Sequence, residues 1–406
     1  MLWLNCQVLR GYNVKVIPMV MAAALFYYVN HTSQFQYNSG IQRCVRALAK
    51  ALISEGVSLI PVAWDHQKAR FVHPCVAALQ HLAQWNGPSP ESWHVWRDPE
   101  FQDEGVLLIV ELVCGRNNPS MKELRSAAPG LSHVWLFHDA LPWKFAQGGR
   151  GELQAAAQVH ATYMHGLGSA ELVVCNSHSS RHDLLQFLSS ERSSFDLFLQ
   201  QRILPLPLAE DFGTSRLPAP IAGAPILRML TVSTLEPRKN HAGLVKALLW
   251  LWCQGLRHWQ LDVVGWCASP EISEMIDQAR SLGLPIIQRG FLSDEDLLAC
   301  YEDADFCVYP SLEEGFGLPV AESLWHRRPC LCDGNGALGE RAAAGGCLTV
   351  DTAEWRSIAD GLERLLTEPG LRQVMSDQIE HRLFRRWSDV ANDLLSLLKD
   401  RSMLVF

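Results

Sequence analysis

A chain of 406 residues is too long for one ordinary hydrophobic core, so two domains are expected. Hydrophobic residues make up 48% and charged residues 19%, which excludes a disordered chain. The formal net charge of -8 excludes a general electrostatic pull toward nucleic acid or anionic lipid, leaving room only for a local basic patch.

From the N-terminus, Val16–Val29 is uncharged and follows Arg10 and Lys15, a pattern shared with signal peptides but short for a membrane span. The reading adopted is an extension over 1–23, followed by a first core strand at Leu25–Val29 that passes into a strand-loop-helix pattern. Further strands are predicted at Ser58–Trp64, Val106–Leu112, Val134–His138 and Leu172–Asn176. Ile41–Glu55 carries Ile41, Val45, Leu48, Ala49 and Leu52 at helical spacing, and Gln147–Gly168 reads as another helix. Residues 66–104, rich in His, Trp and Pro, read as an irregular insertion.

The Pro- and Gly-rich run 217–225 reads as an interdomain linker. Alternation then restarts, with strands predicted at Met229–Ser233, Trp259–Val264, Pro285–Gln288, Asp305–Tyr309, Pro329–Cys332 and Cys347–Val350. Helices are predicted over 241–254, 270–282, 294–303, 319–327 and 354–367, and Arg382–Leu398 reads as a long terminal helix. This rhythm implies α/β architecture with two parallel sheets facing a central cleft, and ligands at the carboxyl ends of the strands.

Twelve cysteines show no repeating spacing. Cys330 and Cys332 alternate on one side of a strand, and with no Cys-x-x-Cys the cysteines read as buried small hydrophobes in a reducing compartment, with no zinc.

Two segments carry chemistry. Residues 314–322, Glu-Gly-Phe-Gly-Leu-Pro-Val-Ala-Glu, join a buried strand to a helix with proline near its first position, a layout suited to phosphate and to sugar hydroxyls. The stretch Thr231-Val-Ser-Thr-Leu-Glu-Pro-Arg-Lys-Asn240 places Arg238 and Lys239 at the end of another strand. Adjacent cations there can neutralise a departing diphosphate, although such a pair also serves as a solvated turn cap.

Together these segments resemble the retaining GT-B glycosyltransferases of family 4, in the subgroup with an EPRKN sequence and an E-x7-E motif. The chain departs from the common GR-x4-K pattern, carrying Ser233-Thr234 at the Gly-Arg positions and Arg238 beside Lys239. The resemblance extends over roughly residues 25–400. Asn38-Ser-Gly-Ile-Gln-Arg43 resembles the family's Gly-containing loop, Phe137-His-Asp-Ala-Leu-Pro142 its HDxxP segment, and Cys175–Arg181 a largely structural V-S-x-x-S stretch.

The resemblance implies a Rossmann-like acceptor-binding domain over 24–216 and a Rossmann-like nucleotide-sugar domain over 226–380. It also implies a terminal helix over 381–406 that crosses back to the first domain. It implies that Arg238 and Lys239 hold the donor diphosphate, and that Glu314 with Phe316, Gly317 and Leu318 orients the sugar. Glu322 then takes the ribose, Gly40 lets the backbone approach the phosphates, and His138 lies near the transferred sugar. The expected partners are a nucleotide sugar, with a weak lean to GDP-mannose, and a glycan or lipid-linked acceptor in surface polysaccharide assembly. No cofactor, metal or nucleic acid is expected, and the expected place is the cytoplasm, including a peripheral position at the inner face of the membrane.

Three other readings stand beside this one. A non-catalytic relative would bind a sugar nucleotide or glycan, and an epimerase of the same plan would use water. Gly334-Asn-Gly-Ala-Leu-Gly339 matches a dinucleotide fingerprint, with Asp351 as a candidate ribose acid, but comes late in its domain. Among fourteen tryptophans, Trp64, Trp135 and Trp259 read as core, and Trp143 as an acceptor-side candidate.

Overall fold

The structure, a computed structural model, describes residues 24–35, 37–94, 105–115, 118–147, 154–190, 197–220 and 223–404. The extension 1–23, part of the insertion, the start of the predicted Gln147–Gly168 helix and part of the linker lie outside the described residues.

The first half builds a 7-stranded sheet from β1 (Ala24–Tyr28), β2 (Leu59–Asp65), β3 (Arg70–Val72), β4 (Gly105–Ile109), β5 (Leu131–Phe137), β6 (Leu172–Cys175) and β7 (Ile203–Pro205). The order is β3-β2-β1-β4-β5-β6-β7, with β3 alone antiparallel to its neighbour. Its helices are α1 (Gly40–Ser54), α2 (Val76–Leu82), α3 (Met121–Ala127), α4 (Leu141–Gln147), α5 (Gln154–Leu167), α6 (His178–Ser190) and α7 (Leu197–Arg202). The 66–104 stretch is thus partly regular, since β3 and α2 fall within it.

The second half forms a 6-stranded, fully parallel sheet in the order β10-β9-β8-β11-β12-β13. Its strands are β8 (Leu227–Val232), β9 (Trp259–Val264), β10 (Ile286–Gly290), β11 (Phe306–Tyr309), β12 (Cys330–Asp333) and β13 (Cys347–Val350). Its helices are α8 (His241–Cys253), α9 (Pro270–Ser281), α10 (Asp294–Asp303), α11 (Leu318–Trp325), α12 (Gly336–Ala342), α13 (Trp355–Thr367) and α14 (Pro369–His381).

Parallel strands covered on both faces must be apolar throughout, and β4 and β11 are buried at every position. Trp135 and Trp259 are fully buried, and Trp64 is buried as well. Trp143 is partly buried and packs edge-on against Phe187 with centroids 5.4 Å apart.

The last helix, α15 (Trp387–Asp400), buries Val390, Ala391, Leu394, Leu395 and Leu398 in one cluster with Val45 and Leu48 of α1. The predicted terminal helix from Arg382 is corrected here: 382–386 is not helical. Long-range partners hold that segment, because Arg382 donates to Glu210 at 2.8 Å and Arg385 to the Pro207 carbonyl at 2.8 Å.

Candidate functional site

In each sheet the strand order reverses once, between β1 and β4 and between β8 and β11. Loops leaving adjacent strands at such a point diverge and open a crevice at the carboxyl edge. The loops after β8 and β11 carry Arg238, Lys239 and Glu314, so sheet topology alone brings these residues to one crevice. The fingerprint-like 334–339 run follows β12, away from the reversal, and Asp351 accepts from the Ala353 amide of its own turn at 3.0 Å.

After β8 the chain makes a 3-10 turn over Pro237–Lys239, and Asn240 takes the left-handed conformation at φ 54. The Asn240 side chain accepts from the Gly243 amide at 3.1 Å and donates to the Thr352 carbonyl at 2.7 Å, so it caps α8 and pins the turn. The Leu312 amide donates to the Arg238 carbonyl at 3.0 Å, tying the two loops together. After β11, Gly317 turns the chain at φ 88, a conformation that a side chain disfavours, and Pro319 sits in the first turn of α11.

Glu314 is held by both cations. Lys239 Nζ lies 2.5 Å from one carboxylate oxygen and Arg238 donates to the other at 2.8 Å. Arg238 also pairs with Glu236 at 2.5 Å. Burial pushes the Glu314 carboxyl up, but the Lys239 and Arg238 charges outweigh it and hold it below the usual range. The side chains of Lys239 and Glu314 are each only 10% exposed, so this is a nearly dry charge cluster.

Glu322 has different partners. Arg43, from the first half of the chain, reaches it at 3.2 Å, and the Tyr301 hydroxyl lies 3.3 Å from its other oxygen. These residues line a cavity of about 690 Å³ between α1, α10 and α11, whose wall also includes Leu318 and Asp294. Arg238, Lys239, Glu314 and His138 are not in that wall, so the two glutamates serve separate regions of the interdomain crevice. The Arg43 side chain is 32% exposed but that of Glu322 only 12%, so Arg43→Ala, which leaves the carboxylate with the Tyr301 hydroxyl, is expected to cost about 1–2 kcal/mol. Urea unfolding checks this, and a loss above about 2 kcal/mol would mark the pair as part of the domain junction's core.

The first half of the chain meets this crevice at its own sheet edge. His138 Nε2–H donates to the Val110 carbonyl at 2.7 Å, which leaves Nδ1 as the acceptor nitrogen. Burial lowers its pKa and favours the neutral ring. A Cβ on Gly315 would come within 2.5 Å of the His138 carbonyl, so the loop bearing Glu314 passes the His138 strand end at backbone distance. The Ser177 and Ser180 hydroxyls lie 2.6 and 2.9 Å from the Gly315 carbonyl. The stretch read as structural in the sequence therefore also bridges the two halves. Lys144 adds an ion pair to Glu313 at 2.5 Å.

Gly40 opens α1 and lies against Leu318, whose Cδ1 is 2.8 Å from where a Gly40 Cβ would stand. Phe316 is buried, with the Arg341 guanidinium 4.4 Å from its ring centroid. Sequence reasoning misses Arg43, Tyr301 and Lys144 as members of this junction, whereas Ser177 and Ser180 fall in the stretch read as structural support of the cleft floor. The paired serines at i and i+3 after a strand were the one local signal; the cations gave none.

Glu111 ends the strand edge beside β1. It accepts from the His31 and Thr32 amides at 2.8 and 2.6 Å, yet burial raises its carboxyl from 4.5 to about 7. A raised carboxyl stabilises the fold fully below its unfolded value, and that contribution is lost as pH rises through the folded value. Unfolding free energy should therefore fall between pH 4.5 and about 7, and Glu111→Gln should flatten this slope in denaturant titrations.

The fold class is GT-B: two α/β domains with parallel sheets facing a crevice, as in solved glycosyltransferase structures. Sucrose-phosphate synthase from Thermosynechococcus elongatus superposes with a TM-score of 0.64 at 16% identity, covering 94% of this chain and 99% of that one. HepE of Anabaena, solved with UDP and glucose, gives 0.58 at 14% identity, covering 93% and 99%.

Residues 218–382 match the family described as Glycosyl transferases group 1, so the second half of the chain contains a glycosyltransferase group 1 domain. The serotype-specific mannosyltransferase WbdA of Escherichia coli is 36% identical over 100 residues, which is 24% of this chain and 12% of that protein. The O-antigen chain mannosyltransferase B of Escherichia coli is 30% identical over 155 residues, 36% of this chain and 38% of that protein. The matched stretches thus span well under two thirds of these relatives. Among the described residues, no helix is long and apolar enough to cross a membrane.

Proposed function

We propose that the chain is a retaining glycosyltransferase of family 4 that moves a hexosyl group from a nucleoside-diphosphate sugar to a glycan or lipid-linked acceptor. The observation that carries this reading is the clamp of Lys239 and Arg238 on Glu314 at the sheet reversal point. One buried and one partly exposed cation sharing one carboxylate form a site that a diphosphate can enter by exchange. The phosphates take the cations, and Glu314 is released to accept hydrogen bonds from sugar hydroxyls.

As the glycosidic C–O bond breaks, negative charge grows on the departing diphosphate. Lys239 and Arg238 stabilise that charge without a metal. The acceptor hydroxyl attacks from the face the diphosphate leaves, and a leaving-phosphate oxygen takes its proton, so the anomeric configuration is kept. His138, neutral and fixed by the Val110 carbonyl, offers Nδ1 to a hydroxyl of the transferred sugar. Glu322 and Arg43 border the nucleoside side.

The names of the mannosyltransferase relatives support a mannosyl donor such as GDP-mannose and a role in surface polysaccharide assembly. With that role the protein would work in the cytoplasm, at the inner face of the membrane. Thermal-shift screening against UDP-, GDP-, ADP- and dTDP-sugars tests the reading. One donor class, GDP-mannose first, should raise Tm and then release its nucleoside diphosphate only when acceptor is added. Donor turnover in water alone would favour the epimerase, and binding without turnover the non-catalytic relative.

A further inference from the structure

Cys330 and Cys332 lie two residues apart on β12, and Cys347 on β13 is the strand partner of Cys330. Residues i and i+2 of a strand share a face, and in-register neighbours on adjacent strands share it too. The three side chains therefore converge, and their sulfurs all lie within 4.8 Å of one another. Cys307, in register with Cys330 on β11, continues the row but stands outside this cluster. The sequence shows only the Cys-x-Cys pair; the third sulfur arrives through strand pairing.

Three sulfurs about 2.3 Å from one ion in a plane would stand about 4.0 Å apart, a spacing inside the 4.8 Å within which these sulfurs lie. Its surroundings are apolar, with Leu324, Leu338 and Ile379 buried in the same core cluster. Among the described residues the group offers three donor atoms, one short of the tetrahedral set that structural zinc takes. Soft thiolates with no hard ligand select a soft ion. β13 is the sheet's edge strand and Cys347 is partly exposed, which provides a way in. Arg382, buried nearby, donates to the Gly345 carbonyl two residues before Cys347 at 3.1 Å, with its charge paired to Glu210 at 2.8 Å.

We propose that Cys330, Cys332 and Cys347 form a three-sulfur binding site for a soft monovalent cation, Cu(I) in trigonal coordination, separate from the donor crevice. Each sulfur that ligates exchanges its proton for the ion and releases that proton to solvent. No electron transfer is involved, and the proposal does not depend on the glycosyltransferase reading.

The test is an anaerobic titration of the reduced full chain with Cu(I) against a competing chelator. The exposed Cys75 and Cys253 are first replaced by serine to remove surface binding. One Cu(I) per chain should be held against the chelator, and that ion should be lost in both Cys347→Ser and Cys332→Ala. Copper-edge X-ray absorption of the loaded parent should show three sulfur neighbours at one distance. Equal Cu(I) retention by parent and variants, or a two-sulfur spectrum, would overturn the proposal. If a variant fails to fold by circular dichroism, the absorption spectrum of the parent decides alone.

Discussion

Replacing Lys239 with alanine is expected to lower donor turnover about 10²–10³-fold, mostly in kcat, because the lost charge acts on negative charge that develops only as the diphosphate leaves. The fold should survive. Arg238 still neutralises Glu314 at 2.8 Å, and removing Lys239 leaves no buried cation behind. Arg238→Ala should cost less, because Arg238 shares its charge with Glu236 at 2.5 Å and its side chain is 25% exposed, against 10% for Lys239. Steady-state kinetics on both variants check the order. A Lys239→Ala enzyme within about fivefold of wild type would remove this lysine from the chemistry.

Glu314→Ala is expected to act first on stability. It leaves Lys239, whose side chain is only 10% exposed, without its carboxylate partner, and breaking a buried pair from one side typically costs about 3–5 kcal/mol. The same change vacates the anion position between the two cations. Inorganic pyrophosphate or a nucleoside diphosphate should therefore raise the Tm of Glu314→Ala by more than it raises that of wild type, where it must displace the carboxylate. Paired thermal melts with and without these anions read the effect. Equal shifts in both proteins would show that the diphosphate does not enter this clamp.

How much of this was legible in the sequence depends on where the determining forces lie. Strands buried on both faces announce themselves as short apolar runs, and the predicted Trp259–Val264 coincides with the observed β9; the predicted Cys347–Val350 coincides with β13, a half-exposed edge strand. Helices with local caps were nearly as clear: Ser293 accepts from the Asp296 amide at 3.1 Å and starts α10. The start of α15 was missed because Arg382 and Arg385 follow helical periodicity but are drawn off by Glu210 and the Pro207 carbonyl, more than 170 residues earlier. β7, at three residues, is too short to show alternation.

The same division runs through the site. Arg238, Lys239 and Glu314 were visible because each lies at a strand's carboxyl end, where composition and position coincide. Arg43 and Glu322 are 279 residues apart, and nothing local in either segment names the other. The contact of Gly315 with the His138 strand end likewise arises only when the two sheets face each other. The three-cysteine cluster depends on the register of β12 with β13, which local pattern does not fix.

The most direct measurement is calorimetric titration of UDP, GDP, ADP and dTDP into the wild-type chain and into Lys239→Ala. At least one of these nucleoside diphosphates should bind wild type with one site per chain, and should bind Lys239→Ala at least about tenfold more weakly, a difference of about 1.4 kcal/mol. Absence of binding by all four, or equal affinity for both proteins, would contradict the claim that Lys239, Arg238 and Glu314 form a donor diphosphate site.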